Sequence, residues 1–127
     1  MALSTVAFWE QFYCQHTDLR EWYVPNEVAM EVLLPIVTSG DTLLHIGCGS
    51  SETTSELLKQ RELFVHSIDF SESVIEQMSR REEKLKTGEK FYVADVQDMS
   101  IFEDSKFDTI IDKVILLLLV LLLVLMF

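Results

Sequence analysis

Residues 42–49 read Thr-Leu-Leu-His-Ile-Gly-Cys-Gly. The compact apolar run TLLHI enters Gly47-Cys48-Gly49, which predicts a buried strand passing into a tight turn. Glycine on either side of Cys48 lets the backbone come close to a ligand, because neither position puts a side chain in the way. Ser50 and Ser51 are candidate caps of a following helix, with Glu52 in its positive first turn. Downstream the chain repeats the pattern. Residues 63–68 (LFVHSI) predict a second strand ending at Asp69. Ser71 or Ser73 then caps a longer helix, with Val74, Ile75, Met78 and Leu85 on its buried side and the charged residues 80–86 toward water. Residues 90–94 (KFYVA) predict a third strand ending at Asp95, and residues 107–111 (FDTII) a fourth ending at Asp112. Strands alternating with helices imply right-handed crossovers and a parallel α/β sheet. Such sheets bind ligands beyond the carboxyl ends of their strands, where the glycine turn and the strand-end aspartates all fall.

Upstream, residues 5–15 carry Val6, Phe8, Trp9, Phe12 and Tyr13 and suit a short amphipathic helix. A second helix follows Pro25, with Val28, Val32, Leu33, Ile36 and Val37 at helical spacing and Ser39-Gly40 closing it. Pro35 falls inside that pattern and is expected to kink or shorten it. The organisation is therefore an N-terminal helical cap (1–40), a partial ligand-binding domain (41–113) and an atypical tail (114–127). The tail, VILLLLVLLLVLMF, is apolar at all 14 positions. As a helix it would be about 21 Å long at ~1.5 Å per residue, short of a ~30 Å bilayer core, so membrane association through it is not the favoured reading.

Composition narrows the partners. With 127 residues, 49% of them hydrophobic, the chain suits one packed domain. Its 21 acidic against 10 basic residues give a net charge of −11, which repels phosphate backbones and disfavours nucleic acid. A basic partner, such as a lysine-bearing protein, fits that sign. Cys14 and Cys48 make no C-x-x-C pair, arguing against zinc or disulfides and for a reducing, intracellular setting. The first seven residues show no secretory signal, and the first arginine is Arg20, which makes the cytoplasm the expected location with the mitochondrion as alternative. His16, His45 and His66 lack metal-ligand spacing. His45 reads as a satisfied core residue and Cys48 as a small turn filler.

A dinucleotide fingerprint would want glycine at 52, where Glu52 stands, so NAD and FAD are disfavoured. Asp69, 22 residues after Gly47, is placed to accept from both ribose hydroxyls of a nucleoside. Asp95 is placed to accept from an adenine amino group, with Val96 alongside the ring. Singly, Asp69 also reads as a helix cap and Asp95 as a loop acid; jointly with the glycine turn they specify a nucleoside site.

Six segments, FWEQFY (8–13), EWY (21–23), LHIGCGS (44–50), IDFS (68–71), ADV (94–96) and FDTIIDK (107–113), resemble in content and order the seven-strand, class I methyltransferases. Within these they are similar to the methyltransferase-like group that modifies lysines of elongation factor 1A and citrate synthase. The resemblance implies a Rossmann-like fold, S-adenosylmethionine as cofactor and a lysine-bearing protein as substrate. It further implies that Gly47 and Gly49 pass the methionine part and that Asp69 and Phe70 hold the ribose and flank the adenine. Asp95 and Val96 would hold the adenine, Trp9, Tyr13 and Trp22 would lie over the cofactor, and Lys113 would line the site. No acid–base dyad is visible and no catalytic residue is assigned. Three departures stand out: His45 replaces an acid, Ser50-Ser51 replace a third glycine, and the apolar tail follows Lys113 where the family has a Gly-Thr-type turn. The expectation is a truncated methyltransferase with impaired catalysis. The alternatives are a non-catalytic cofactor-binding or interaction protein, or a tail-anchored membrane protein.

Overall fold

The computed structural model describes residues 5–22 and 24–113. Tyr23 and the tail at 114–127, with the readings attached to them, lie outside the described residues. Eight elements follow in order: α1 (Val6–Gln15), α2 (Asn26–Leu33), β1 (Thr42–Ile46), α3 (Thr53–Leu58), β2 (Phe64–Asp69), α4 (Glu72–Leu85), β3 (Lys90–Val93) and β4 (Thr109–Asp112). The strands form one sheet in the order β3-β2-β1-β4, and every pairing is parallel. This is the α/β, Rossmann-like arrangement expected. The chain steps outward from β1 to β3, then returns to the far side of β1. That reversal opens a crevice at the carboxyl ends of β1 and β4, the usual ligand position in such sheets.

Alternation along the strands decides which side chains meet the helices. Leu43 and Val65 are register partners and share a core with Ala29, Leu33, Val37, Leu57 and Ile111. A second cluster joins α1 to α4 through Trp9, Tyr13, Cys48, Val74, Ile75 and Met78. On the opposite face, the connection at 94–108 brings Phe102 and Phe107 against His66 and Tyr92, with ring centroids 5.0–5.7 Å apart.

Several local expectations change. The buried side chains of α2 are Ala29 and Leu33, continued past its end by Val37, while Val28, Val32 and Ile36 are exposed, Val32 at 61%. The helix ends at Leu33, ahead of Pro35. Leu85 is likewise exposed, at the end of α4 beside the left-handed cap residue Lys86. Ser71 caps α4, accepting from the Val74 amide at 3.3 Å. At α3 the cap position belongs to Glu52, whose side chain makes no capping bond, while the Ser51 hydroxyl accepts from the Thr53 amide at 3.1 Å. Strand boundaries shift by one or two residues: β2 starts at Phe64, β3 stops at Val93, and β4 runs Thr109–Asp112. Among the described residues, no helix is long and apolar enough to cross a membrane.

Candidate functional site

The turn after β1 adopts a backbone that favours glycine. Gly47 has φ +59° and Gly49 φ +49°, both left-handed. The Cys48 amide donates to the Ile68 carbonyl at 3.0 Å, which fixes the turn beside β2. A Cβ added to Gly49 would collide with the hydroxyl of Tyr13, a side chain only 5% exposed. The turn is thus a close-approach surface, and the N-terminal helix is what approaches it.

Asp69 ends β2 and is buried. Its Oδ2 accepts from the Gly49 amide at 3.0 Å and its Oδ1 from the Ser71 amide at 2.9 Å. One carboxylate therefore ties the glycine turn to the start of α4. Burial pushes its pKa up, with the charge of Glu10 adding to that and the amides of Ser71, Gly49 and Phe70 opposing it. Each carboxylate oxygen retains a second lone pair for a ligand hydroxyl.

The aromatic residues converge on this turn. Trp9 and Tyr13 are buried with Cys48, and Trp22 and Phe70 pack against the same cluster. Trp9 lies 5.9 Å from Tyr13 and 5.8 Å from Trp22, centroid to centroid. Burial, reinforced by the Asp69 charge, pushes the Tyr13 phenol well up, so it stays neutral.

Asp95 stands apart. It is exposed, and its Oδ1 accepts from the Gln97 amide at 2.9 Å, closing its own turn. Its neighbour Ala94 donates to the Asp69 carbonyl at 3.0 Å, so the loop starts beside the site. Val96 is half-buried in that loop.

Lys113 pairs with a carboxylate from the N-terminal segment. Its Nζ sits 2.5 Å from Glu21 and 3.0 Å from the Thr53 hydroxyl, with its side chain 9% exposed. Glu21 also accepts from the Ser51 hydroxyl at 2.8 and 2.9 Å, from the Glu52 amide at 2.6 Å and from the Thr53 hydroxyl at 3.1 Å. Burial works against the Glu21 charge, but the bonds from Lys113, Ser51 and Glu52 outweigh it and hold its pKa below the ordinary carboxylate value. Sequence reasoning quoted Glu21 inside the EWY segment and assigned it no role. Glu10, in FWEQFY, was missed in the same way. It accepts from the Ser73 hydroxyl at 2.6 Å and the Ser73 amide at 3.1 Å. The available signal was an acid beside tryptophan in each segment.

Two polar atoms flanking the turn lack any hydrogen-bond partner: Nδ1 of His45 and Oγ of Ser50, both fully enclosed. His45 is in the core as expected, but it is not satisfied there. Burial and the Lys113 charge lower its pKa to about 4 against the opposing charges of Glu21 and Asp112, so it is neutral at pH 7. Unsatisfied buried polar atoms beside a glycine turn are what a polar ligand group would complete.

Residues 37–125 match the family model described as a methyltransferase domain. The chain belongs to that family. This methyltransferase domain is 32% identical over 107 residues to the eEF1A lysine and N-terminal methyltransferase of Mus musculus. The matched region is 84% of the chain and 15% of the mouse protein, so the chain spans only a small part of that relative's length. Among solved structures, the protein described under conversion of a disulfide bond into a thioacetal group during echinomycin biosynthesis aligns with a TM-score of 0.67 and 24% identity, over 86% of this chain and 48% of its own. A putative S-adenosylmethionine-dependent methyltransferase from Methanococcus maripaludis aligns with a TM-score of 0.64 and 19% identity, over 72% and 42%. These likenesses establish the methyltransferase domain's fold.

Proposed function

We propose that this methyltransferase domain binds S-adenosylmethionine across the Gly47–Gly49 turn and serves methylation of a protein amine, with lysine as the acceptor. One observation carries the reading: the Asp69 carboxylate accepts from the Gly49 amide, so a nucleoside-binding acid and a ligand-approach turn are locked into one rim. In this reading Gly47 and Gly49 pass the methionine part, Asp69 takes the ribose hydroxyls, and Phe70 flanks the adenine. Asp95 turns out of its loop to accept from the adenine amino group, with Val96 against the ring. Trp9, Tyr13 and Trp22 cover the site and exclude water.

The cofactor's sulfonium supplies an already activated methyl, so the chain's residues contribute alignment and desolvation. The similarity to eEF1A lysine and N-terminal methyltransferases supports a protein amine as acceptor. The net charge of −11 supports a basic protein partner over nucleic acid. A cytoplasmic location belongs to the same reading, supported by two free cysteines.

Calorimetry with S-adenosylmethionine tests it. The wild-type chain binds, and Asp69→Ala weakens binding at least about tenfold, because two charge-assisted bonds to the ribose are lost. No binding by a folded wild-type chain overturns the reading. Binding without transfer of a labelled methyl to any lysine-bearing protein replaces catalysis with a cofactor-binding role.

A further inference from the structure

Residues 5–22 lie across the carboxyl edge of the sheet, and two glutamates fasten them there. Glu10 grips the first turn of α4 through both the amide and the hydroxyl of Ser73, where helix amides lack partners of their own. Glu21 grips the segment after the glycine turn through Ser51, Glu52 and Thr53, and it grips the end of β4 through Lys113. Between them the Arg20 amide donates to the Ser50 carbonyl at 3.0 Å, and Tyr13 rests on Gly49. Gln77 of α4 also donates to the Thr17 carbonyl at 2.6 Å and the Cys14 thiol lies 3.2 Å from the Ser73 hydroxyl, while Trp9 and Tyr13 cluster with Val74, Ile75 and Met78. The two carboxylates make the most of these polar ties, and Glu21 joins the segment both to the stretch after the turn and to the end of β4.

We propose that Glu21, assisted by Glu10, is a positioning residue for cofactor binding, holding Tyr13 and Trp22 over the Gly47–Gly49 turn, and that Lys113 is the anchor of Glu21. The proposal rests on the cofactor reading above. Lys113 spends its donors on Glu21 and Thr53 and is enclosed while doing so, which suits an anchor. Removing one member of an enclosed ion pair strands the other charge, so either loss releases the segment.

Both tryptophans of the chain, Trp9 and Trp22, lie in this segment, so their fluorescence reports its docking without any ligand. Glu21→Gln and Lys113→Met each increase acrylamide quenching of that fluorescence and weaken S-adenosylhomocysteine binding by about tenfold, while far-ultraviolet dichroism stays unchanged. Glu10→Gln acts in the same direction with a smaller effect. The double variant Glu21→Gln/Lys113→Met loses little beyond either single change, because both remove the same contact. Unchanged quenching in Glu21→Gln, or additive losses in the double variant, overturns the proposal. If Glu21→Gln does not fold, hydrogen exchange on the wild type decides: residues 5–22 gain protection when S-adenosylhomocysteine is added, and no gain overturns the proposal. Wild-type protein that binds no cofactor, yet shows the quenching response in the variants, overturns the cofactor reading and leaves the anchoring role standing.

Discussion

Gly49 shows how much one residue carries. Its left-handed φ and the Tyr13 hydroxyl each exclude a side chain. Gly49→Ala is expected to lose about 2 kcal/mol, combining the ~1–2 kcal/mol left-handed penalty of an L-residue with the displacement of Tyr13, as read by urea unfolding. Buried Glu89 gives a pH-dependent case. Burial raises its pKa, with Glu82 adding to the rise and the hydroxyls of Thr54 and Ser67 and the charge of Arg81 opposing it. The folded state then holds that proton more tightly than the unfolded chain. The stability from Glu89 is present below the ordinary carboxylate pKa and is lost as pH rises through the raised one. Glu89→Gln keeps an acceptor for both hydroxyls and removes that loss, so melting temperature should depend less on pH above the carboxylate range. His45 has the opposite sign. Its folded pKa of about 4 lies below the ordinary value near 6.5, so its contribution is present above about 6.5 and lost as pH falls toward 4. Acidification over that interval should lower the melting temperature; no change there would contradict the enclosed neutral ring.

At the scale of elements, α4 depends on its first turn. Ser71 accepts from the Val74 amide, and Ser71→Ala should cost about 1 kcal/mol in chemical denaturation, whereas Ser71→Gly should cost only a few tenths. The elements were legible wherever the deciding signal is local. A Gly-x-Gly after an apolar run, and an acid at each strand end, are read over a few residues, and β1, β2 and the Asp69 rim follow from them. The buried face of α2 was not legible, because the valines at 28 and 32 match Ala29 and Leu33 in helical spacing and only packing on the sheet chooses between them. The anchoring glutamates were hidden for a related reason. Glu10 meets Ser73 across 63 positions and Glu21 meets Lys113 across 92, and no short-range pattern encodes such pairings. The orientation of Asp95 depends on the Gln97 amide, a loop detail that strand-end counting does not reach.

Across the molecule, the two faces of the sheet differ. The face carrying Leu43 and Val65 is covered by helices, while Phe64 and Ile110, on the other, are 64% and 60% exposed. Exposed apolar side chains on a sheet promote association. The paired change Phe64→Gln and Ile110→Gln should reduce self-association in sedimentation velocity while shifting stability by about 1 kcal/mol or less, as two exposed positions usually do. Undiminished association would remove these two side chains as its cause.

The span between Glu21 and Lys113 also orders events during synthesis. Residues 5–22, which dock over the glycine turn, leave the ribosome well before Lys113, whose ammonium meets Glu21 across 92 positions. The aromatic helix α1 can meet Gly49 and Ser73 once those are made, but the Glu21 end of the segment gains its ammonium only with β4. The last tie of this segment closes only when β4 is in place.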